Sequence, residues 1–233
     1  MGLRTGSRPR NRLRSYAPWI AVSGVATLGA AALEAMGFHG LQRFLGPLPP
    51  VVTVATAGAA GLGALMFLEG RGFWRCGTNS ETVRGIVVAT AAAIPFAAVA
   101  VGVDVARGFP KDTNLEWPEA WAAYLAIAVM AEAAFHLLPL TGLVWLTRSH
   151  FTDTRLDGRV WTLVLTTAAV EPVAQVALGS AQPHFVVPHV FIIGVVQLLL
   201  LRRYGYLSML SFRVSYYLIW HVLWGRARLA LLF

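Results

Sequence analysis

The chain has 233 residues, of which 57% are hydrophobic and only 13% are charged, and its formal net charge is +8. Several apolar runs reach the roughly 20 residues that cross a bilayer, which excludes an ordinary soluble domain and indicates a polytopic membrane protein. The basic residues lie at the ends of these runs, so they predict membrane topology and not nucleic-acid binding. Cys76 is the single cysteine, which excludes an intrachain disulfide and a cysteine metal cluster.

The residue usage also indicates a source and a location. Arginine outnumbers lysine 18 to 1, and alanine, glycine and valine are abundant, as is typical of a GC-rich bacterial genome. We therefore expect a multi-pass protein of the bacterial cytoplasmic (inner) membrane, with the lipid bilayer as a partner and no nucleic acid. The only lysine, Lys111, is predicted in an outer loop, which excludes a retinal protein.

Taken in chain order, the sequence begins with a basic tail over residues 1–15 that carries five arginines. Apolar runs separated by polar or proline-containing turns predict an all-α bundle of about seven transmembrane helices. The predicted spans are 17–36, 51–68, 85–105, 121–146, 160–179, 185–201 and 206–225. In the second span, Gly58, Gly61 and Gly63 predict close helix packing.

The distribution of basic residues predicts which side each loop occupies. With seven spans, the tail and the loops 69–84, 148–159 and 202–205 share one side and hold 13 of the 19 basic residues. The other side holds five, so we expect the N-terminus inside and the C-terminus outside. The last segment, 206–233, is open to two interpretations: one tilted helix, or a short re-entrant piece followed by a helix.

The fourth span carries polar residues where lipid offers them no partner. Glu132 lies in its middle, and His136 follows one helical turn later on the same face. Pro139 cannot donate the hydrogen bond owed to the carbonyl of Phe135. An acid at this depth must be buried, paired or protonated, so the turn is a candidate functional site.

Two further spans place polar residues at compatible depths. Glu171 and Gln175 lie one turn apart beside Pro172. The last span carries a stripe at i, i+4 and i+8 that should face the interior of the protein, formed by Arg213, Tyr217 and His221. The candidate catalytic residues are Glu132, His136, Glu171, Gln175 and His221. His189, at the start of its span, is more typical of a solvated residue than of a site residue.

Such a set of side chains has the groups needed for hydrolysis. A buried carboxylate can take a proton from water, and imidazole or amide donors can hold the oxyanion of an attacked carbonyl. Two histidines and two glutamates can also bind a metal ion. The helix motif His-Glu-x-x-His is missing from the sequence, so the metal signal is weak and we expect no cofactor.

The residues around these positions resemble the CPBP intramembrane proteases, which include the CAAX prenyl endopeptidases and bacteriocin-processing proteins. AEAAFHLLPL at 131–140 resembles their Glu-Glu-x-x-x-Arg motif, with Ala131 and His136 in place of the first Glu and the Arg. EPVAQ at 171–175 falls where Phe-x-x-x-His is expected, and HVLWG at 221–225 resembles the final His-x-x-x-Asn. FVVPH at 185–189 also matches Phe-x-x-x-His and ranks second, because it lies close to the surface. Glu132 and His221 alone keep the family residue.

The resemblance divides the chain and implies a function. It covers 85–225 as a CPBP-like membrane core, preceded by the cytoplasmic tail 1–15 and by 16–84, the first two transmembrane helices with their cytoplasmic loop; a short tail, 226–233, follows. It implies an intramembrane endopeptidase in which glutamate activates water to cut a membrane-anchored peptide or protein. Two alternatives stay open: a non-catalytic module that binds or chaperones a membrane partner, and a proton-coupled small-ion transporter, which also uses intramembrane acids and histidines.

Overall fold

The computed structural model describes residues 9–75, 77–153, 155–179 and 182–232, with side chains from Ser15 onward. Residues 1–8 of the predicted basic tail, and Cys76, lie outside the described residues. Within the described ranges the secondary structure is entirely helical. The α-helices are α1 (Pro9–Ala35), α2 (Gln42–Leu45), α3 (Pro50–Gly70), α4 (Asn79–Arg107), α5 (Ala120–Ala131), α6 (Leu138–Leu146), α7 (Gly158–Ala168), α8 (Val170–Ala177), α9 (Pro183–Tyr204), α10 (Tyr206–Tyr217) and α11 (Gly225–Leu231).

Short segments of other helix types complete the chain. A 3₁₀ turn covers Lys111–Thr113, and two π-helical segments, Glu132–Leu137 and Leu218–Trp224, join α5 to α6 and α10 to α11. Six helical stretches of the described residues are long and apolar enough to cross a membrane: Ser15–Ala35, Pro50–Gly70, Asn79–Arg107, Ala120–Leu146, Gly158–Ala177 and Pro183–Tyr204. The chain is therefore an all-α, multi-pass membrane protein, as its composition predicts.

The seventh predicted span differs from the other six. It is helical without a break from Tyr206 to Leu231, but it is not among the stretches apolar enough to qualify. It carries more polar residues than the other spans, and two of them, Ser208 and Arg213, are buried in the bundle, where protein and not lipid surrounds them. Six of the predicted spans are therefore long and apolar enough to cross a membrane, and the seventh is a more polar helix.

This last helix extends from one end of the bundle to the other. At its start, the hydroxyl of Tyr206 donates to the backbone carbonyl of Ser15 at 2.9 Å, beside the beginning of α1. Near its end, Arg228 pairs with Asp104 of α4 at 2.7 Å. Of the two interpretations open for 206–233, the structure therefore shows one continuous helix.

The loops gather at the two ends as alternating helices require. At one end, which we call the basic end, the loops between α3 and α4 and between α6 and α7 meet: the Phe151 amide donates to the Arg71 carbonyl at 2.9 Å. At the opposite end, Arg43 pairs with Asp112 at 2.7 Å, and other loops join them. The basic end also holds the start of α1, in agreement with the predicted grouping of basic segments on one side.

Small residues allow the helices to approach closely. A Cβ added to Gly58 would lie 2.8 Å from Ser23, and one added to Gly61 would lie 2.4 Å from Trp19, both on α1. The Trp19 indole also donates to the Gly58 carbonyl at 2.9 Å. The glycine patch predicted from the sequence therefore forms the contact between α1 and α3, whereas Gly63 faces open space.

Helix α4 packs on the last helix through a stripe of alanines. Ala89, Ala93 and Ala97 are fully buried and belong to one apolar cluster with Phe212. Gly85 continues the stripe, because a Cβ there would lie 2.2 Å from the Ser208 hydroxyl. This close contact fixes the position of α10, which carries Arg213.

The topology can be tested by cysteine labelling in a background in which Cys76 is replaced by serine. Leu156→Cys, at the basic end, should resist a membrane-impermeant maleimide in intact cells and react after permeabilisation. Leu48→Cys, at the opposite end, should react in both cases. Both side chains are exposed, with 47% and 54% of their surface accessible, so burial does not account for the difference. Labelling of Leu156→Cys in intact cells would contradict the N-in orientation.

Candidate functional site

Three helical segments bring charged and polar side chains together in the interior of the bundle. The π-helical segment after α5 supplies Glu132 and His136, α8 supplies Glu171, and α10 supplies Arg213. Each of these residues exposes 4% of its surface or less. We call these four residues the charge cluster. It confirms the prediction that Glu132, His136 and Glu171 face one another inside the protein.

Local backbone irregularity positions the first two residues. Pro139 lacks an N–H, and its ring is incompatible with a regular helix at the preceding carbonyls, so the helix widens before it. The Leu138 amide accordingly bonds to the carbonyl of Ala133, five residues back, as in a π-helix. Segments of this kind are rare and occur frequently at functional sites. Here the segment consists of the turn that carries Glu132 and His136.

A second proline positions Glu171. The predicted span 160–179 is broken at Ala169, where α7 ends and α8 begins. Pro172 cannot donate to the carbonyl of Ala168, which explains why the regular helix stops there. Glu171 lies in the first turn of α8, and its carboxylate is directed into the bundle.

Arg213 is the centre of the charge cluster. Its Nη1 and Nη2 donate to the two carboxylate oxygens of Glu171 at 3.0 and 2.7 Å, a bidentate pair. Its Nε donates to Glu132 Oε1 at 2.6 Å. One guanidinium thus joins carboxylates from two different helical segments. Tyr217, one turn further on, accepts from Nη1 at 3.0 Å.

Gln197 of α9 completes the hydrogen bonding. Its side chain is fully buried; its amide nitrogen donates to Glu132 Oε1 and, at 3.3 Å, to the backbone carbonyl of Met209. Its oxygen accepts from Arg213 Nη2 at 3.2 Å. Gln197 therefore connects α9 to both members of the Arg213–Glu132 pair.

Two neighbours of His136 Nδ1 favour different tautomers of its ring. Its Nδ1 lies 3.1 Å from Glu132 Oε2 and 3.3 Å from Arg213 Nη2. A lone pair on Nδ1 accepts from Arg213 Nη2, which can only donate, whereas a proton on Nδ1 gives Oε2 a partner that it otherwise lacks. In the second tautomer Nε2 carries the lone pair; among the described residues Nε2 has no hydrogen-bond partner, and Glu171 Oε2 is 4.0 Å away.

The other predicted site residues lie at the edge of the charge cluster or outside it. Gln175 donates to Glu171 Oε1 at 3.3 Å and is half-buried. His221 lies beyond Tyr217: its ring stacks on Tyr124 at 4.5 Å, and its Nδ1 is 3.3 Å from Asn114. No contact that the structure shows links His221 directly to the four residues of the charge cluster.

His189 and its motif also stand apart. Its Nε2 is 3.2 Å from the Tyr216 hydroxyl, and its ring stacks on Phe185 at 4.7 Å. These are packing contacts beside the apolar cluster that contains Phe212, and they do not reach the carboxylates.

Sequence reasoning had noted Arg213 and Tyr217 in the polar stripe but had not placed them among the site residues, and it had missed Gln197 altogether. A signal for Arg213 was present, because it is the single basic residue within a span and such a charge requires an acidic partner. Gln197 gave no comparable signal, since a neutral amide within an apolar run is a common packing residue.

The fold and the charge cluster define a class: multi-pass α-helical membrane proteins with a buried ionic network. Comparison of the chain with protein families, with curated proteins and with solved structures finds no match in any of the three. Among the described residues, no group of three or more histidine, cysteine, aspartate or glutamate side chains is arranged to hold a metal ion.

The energetic role of Arg213 can be tested by removing its charge. Arg213→Met leaves two buried carboxylates without their cation, so it should destabilise the protein by about 3–5 kcal/mol, measured as the loss of thermal stability in detergent. Combining it with Glu171→Gln should recover part of this loss, because one buried charge is then removed. Arg203→Met, at an exposed arginine of α9, is the control and should have little effect. Equal stability of Arg213→Met and the wild type would contradict the central role of Arg213.

Proposed function

We propose that this protein is an intramembrane hydrolase of the bacterial cytoplasmic membrane that cuts a peptide bond in a membrane-anchored substrate. The observation that supports this most directly is the pair formed by Glu132 and His136. Glu132 Oε2 lies 3.1 Å from Nδ1 of the imidazole, and the fully buried Nε2 lacks a hydrogen-bond partner among the described residues; the proposal takes the tautomer with the proton on Nδ1. A carboxylate that orients an imidazole in this way prepares the opposite nitrogen to act as a base.

His136 is a better candidate for the base than either glutamate. Both oxygens of Glu171 accept hydrogen bonds from Arg213, and Glu132 Oε1 accepts from Arg213 and Gln197. Carboxylates held by a guanidinium are stabilised as anions and are weak proton acceptors. The lone pair of His136 Nε2 is not engaged in this way. In this proposal the glutamates therefore orient and balance charge, and the imidazole takes the proton.

The surroundings of Nε2 set the requirements of this reaction. Gly194 of α9 lies directly against the imidazole, and a Cβ added to it would lie 3.2 Å from Nε2 and 3.2 Å from the Ala168 side chain. His136 is fully buried, so in this proposal the helices separate to admit one water molecule between Nε2 and Glu171 Oε2, which are 4.0 Å apart. A glycine at this position keeps side-chain atoms away from Nε2.

The reaction then follows from these positions. As the water oxygen bonds to the substrate carbonyl carbon, one of its protons passes to Nε2. That proton is later given to the departing nitrogen when the C–N bond breaks, which leaves a carboxylic acid and an amine. Gln175 has a second amide hydrogen, and the half-buried Tyr217 carries a hydroxyl beside Arg213; in this proposal both donate to the oxyanion.

A second candidate function is the non-catalytic module that binds a membrane partner. Two observations favour it. Arg213 donates its hydrogen bonds to Glu132, Glu171, Gln197 and Tyr217, as expected for a network that stabilises the fold. In addition, the residue of the last helix that contacts Glu132 is Arg213, and Tyr217 follows four positions later. The resemblance matches His221 and Gly225 to the His-x-x-x-Asn motif. In the register of Arg213 and Tyr217 neither residue of the motif is kept.

The two candidates are separated by sequencing new protein N-termini in membranes from a strain that lacks the gene and is complemented with variants. We expect the wild type to generate N-termini that disappear with His136→Ala and Glu132→Gln, because base and orienting group are lost. His189→Ala is the matched control, since it removes another buried histidine outside the charge cluster. It should leave the cleavage products unchanged.

A second pair of variants tests the space beside Nε2 without removing a charge. Gly194→Ala should reduce cleavage, whereas Gly102→Ala, where a Cβ meets nothing within 4 Å, should not. Variant abundance and thermal stability are measured in parallel. If all variants complement at normal abundance and no N-terminus depends on the wild type, the protein is the binding module and not a hydrolase.

A further inference from the structure

A cavity of about 500 Å³ opens at the basic end, away from the charge cluster. The residues that line it are Arg71, Trp145, Leu146, Arg148 and His150. Arg71 follows directly after the end of α3, and Arg148 lies two residues beyond the end of α6. The cavity is therefore at the level where the transmembrane helices leave the apolar layer.

The lining combines positive charge with an apolar wall. Two guanidinium groups face it, and none of the described residues that line it is acidic. Trp145 and Leu146 have 62% and 69% of their surface exposed, so they offer an uncovered apolar edge on the side of α6. Tryptophan is enriched at membrane interfaces, where one side of its ring meets lipid chains and the other meets polar headgroups.

Arg71 is held in position before any ligand binds. Arg71 Nη1 donates to His150 Nε2 at 2.6 Å, and its guanidinium lies 5.0 Å from the centre of the Phe67 ring. These contacts use one donor of Arg71 and leave others for a ligand. Arg148 adopts a left-handed backbone conformation with φ of 50° just after α6 ends, and it is exposed.

The two loops that carry these residues form one rigid unit. Arg202 of α9 donates to the backbone carbonyls of Phe73 and Asp153, each at 2.9 Å, and its guanidinium lies 5.0 Å from the Phe151 ring. Gly72, with φ of 74°, comes so close to Phe151 that a Cβ would lie 2.1 Å from its carbonyl oxygen. A preformed pocket loses less conformational freedom on binding than a mobile loop does.

We propose that this cavity binds the phosphate headgroup of an anionic phospholipid. Guanidinium groups match phosphate oxygens in geometry and charge, and basic pockets beside transmembrane helices are known to suit such headgroups. Trp145 and Leu146 favour a lipid over free phosphate as the ligand. Their exposed apolar surface contributes nothing to the binding of an inorganic anion, but it can contact the glycerol and the acyl chain of a lipid. The site is independent of the proposed hydrolase activity.

The test measures the binding of soluble short-chain lipids to the purified full-length protein in detergent by thermal shift and native mass spectrometry. Dihexanoyl phosphatidylglycerol should bind at least about tenfold more tightly than dihexanoyl phosphatidylcholine. The double variant Arg71→Gln/Arg148→Gln should weaken phosphatidylglycerol binding by about tenfold or more, since charge-assisted hydrogen bonds are lost.

Controls distinguish a built site from general surface charge. Arg84→Gln/Arg203→Gln removes two exposed positive charges from the same end without touching the cavity and should change the Kd by less than about twofold. Trp145→Ala keeps both arginines and should weaken lipid binding while leaving the binding of inorganic phosphate unchanged. This variant still tests the proposal if the double variant does not fold. The proposal is overturned if both double variants weaken binding equally, if the two lipids bind alike, or if inorganic phosphate binds as tightly as phosphatidylglycerol.

Discussion

The ion network around Arg213 is the interaction on which the interior of this protein depends. A guanidinium or a carboxylate buried alone in a membrane protein carries a large desolvation cost, and only close, well-oriented partners offset it. Arg213 meets this condition by pairing with Glu132 and Glu171 from separate helical segments, while Gln197 joins the pair from α9. The positions of four segments are thereby coupled, because moving any one of them leaves a buried charge without its partner.

The network forms because the helices that carry it are irregular in the right places. Pro139 widens the helix that holds Glu132 and His136. Pro172 lies just after the break between α7 and α8, where regular helical hydrogen bonding stops. In lipid, a freed backbone group must find a partner within the protein, so such irregularities are tolerated where other helices surround them. Both lie beside the charge cluster. The same residues that weaken the regular helix therefore direct the charged side chains toward one another.

The interior and the basic end use arginine in different ways. Arg213 is buried and saturated by side-chain carboxylates, which gives a closed electrostatic network. Arg202 is also buried, but its hydrogen bonds go to backbone carbonyls and its guanidinium contacts aromatic rings, and so it fixes the shape of two loops. Arg71 and Arg148 lie on the loops that it stabilises and keep their charge available at the surface. The arginine-rich composition thus serves both to lock the bundle and to shape a positive surface where the helices end.

The sequence by itself determined the class of the protein and most of its helices. Apolar runs of membrane-crossing length have few alternatives to helix, because backbone groups in lipid must be satisfied within the segment. The same reasoning placed Glu132, His136 and Glu171 in the interior. It did not reveal that Arg213 contacts all three of these residues, or that His221 lies outside the charge cluster. The stripe at i, i+4 and i+8 puts three side chains on one face of the last helix, but it does not say which of the three lies at the same depth as the carboxylates. Only the tertiary structure determined this depth, because it depends on the close packing of α4 on α10 and on the hydrogen bonds of Gln197 from α9. Gln197 is a neutral residue, and all its hydrogen-bond partners are distant along the chain.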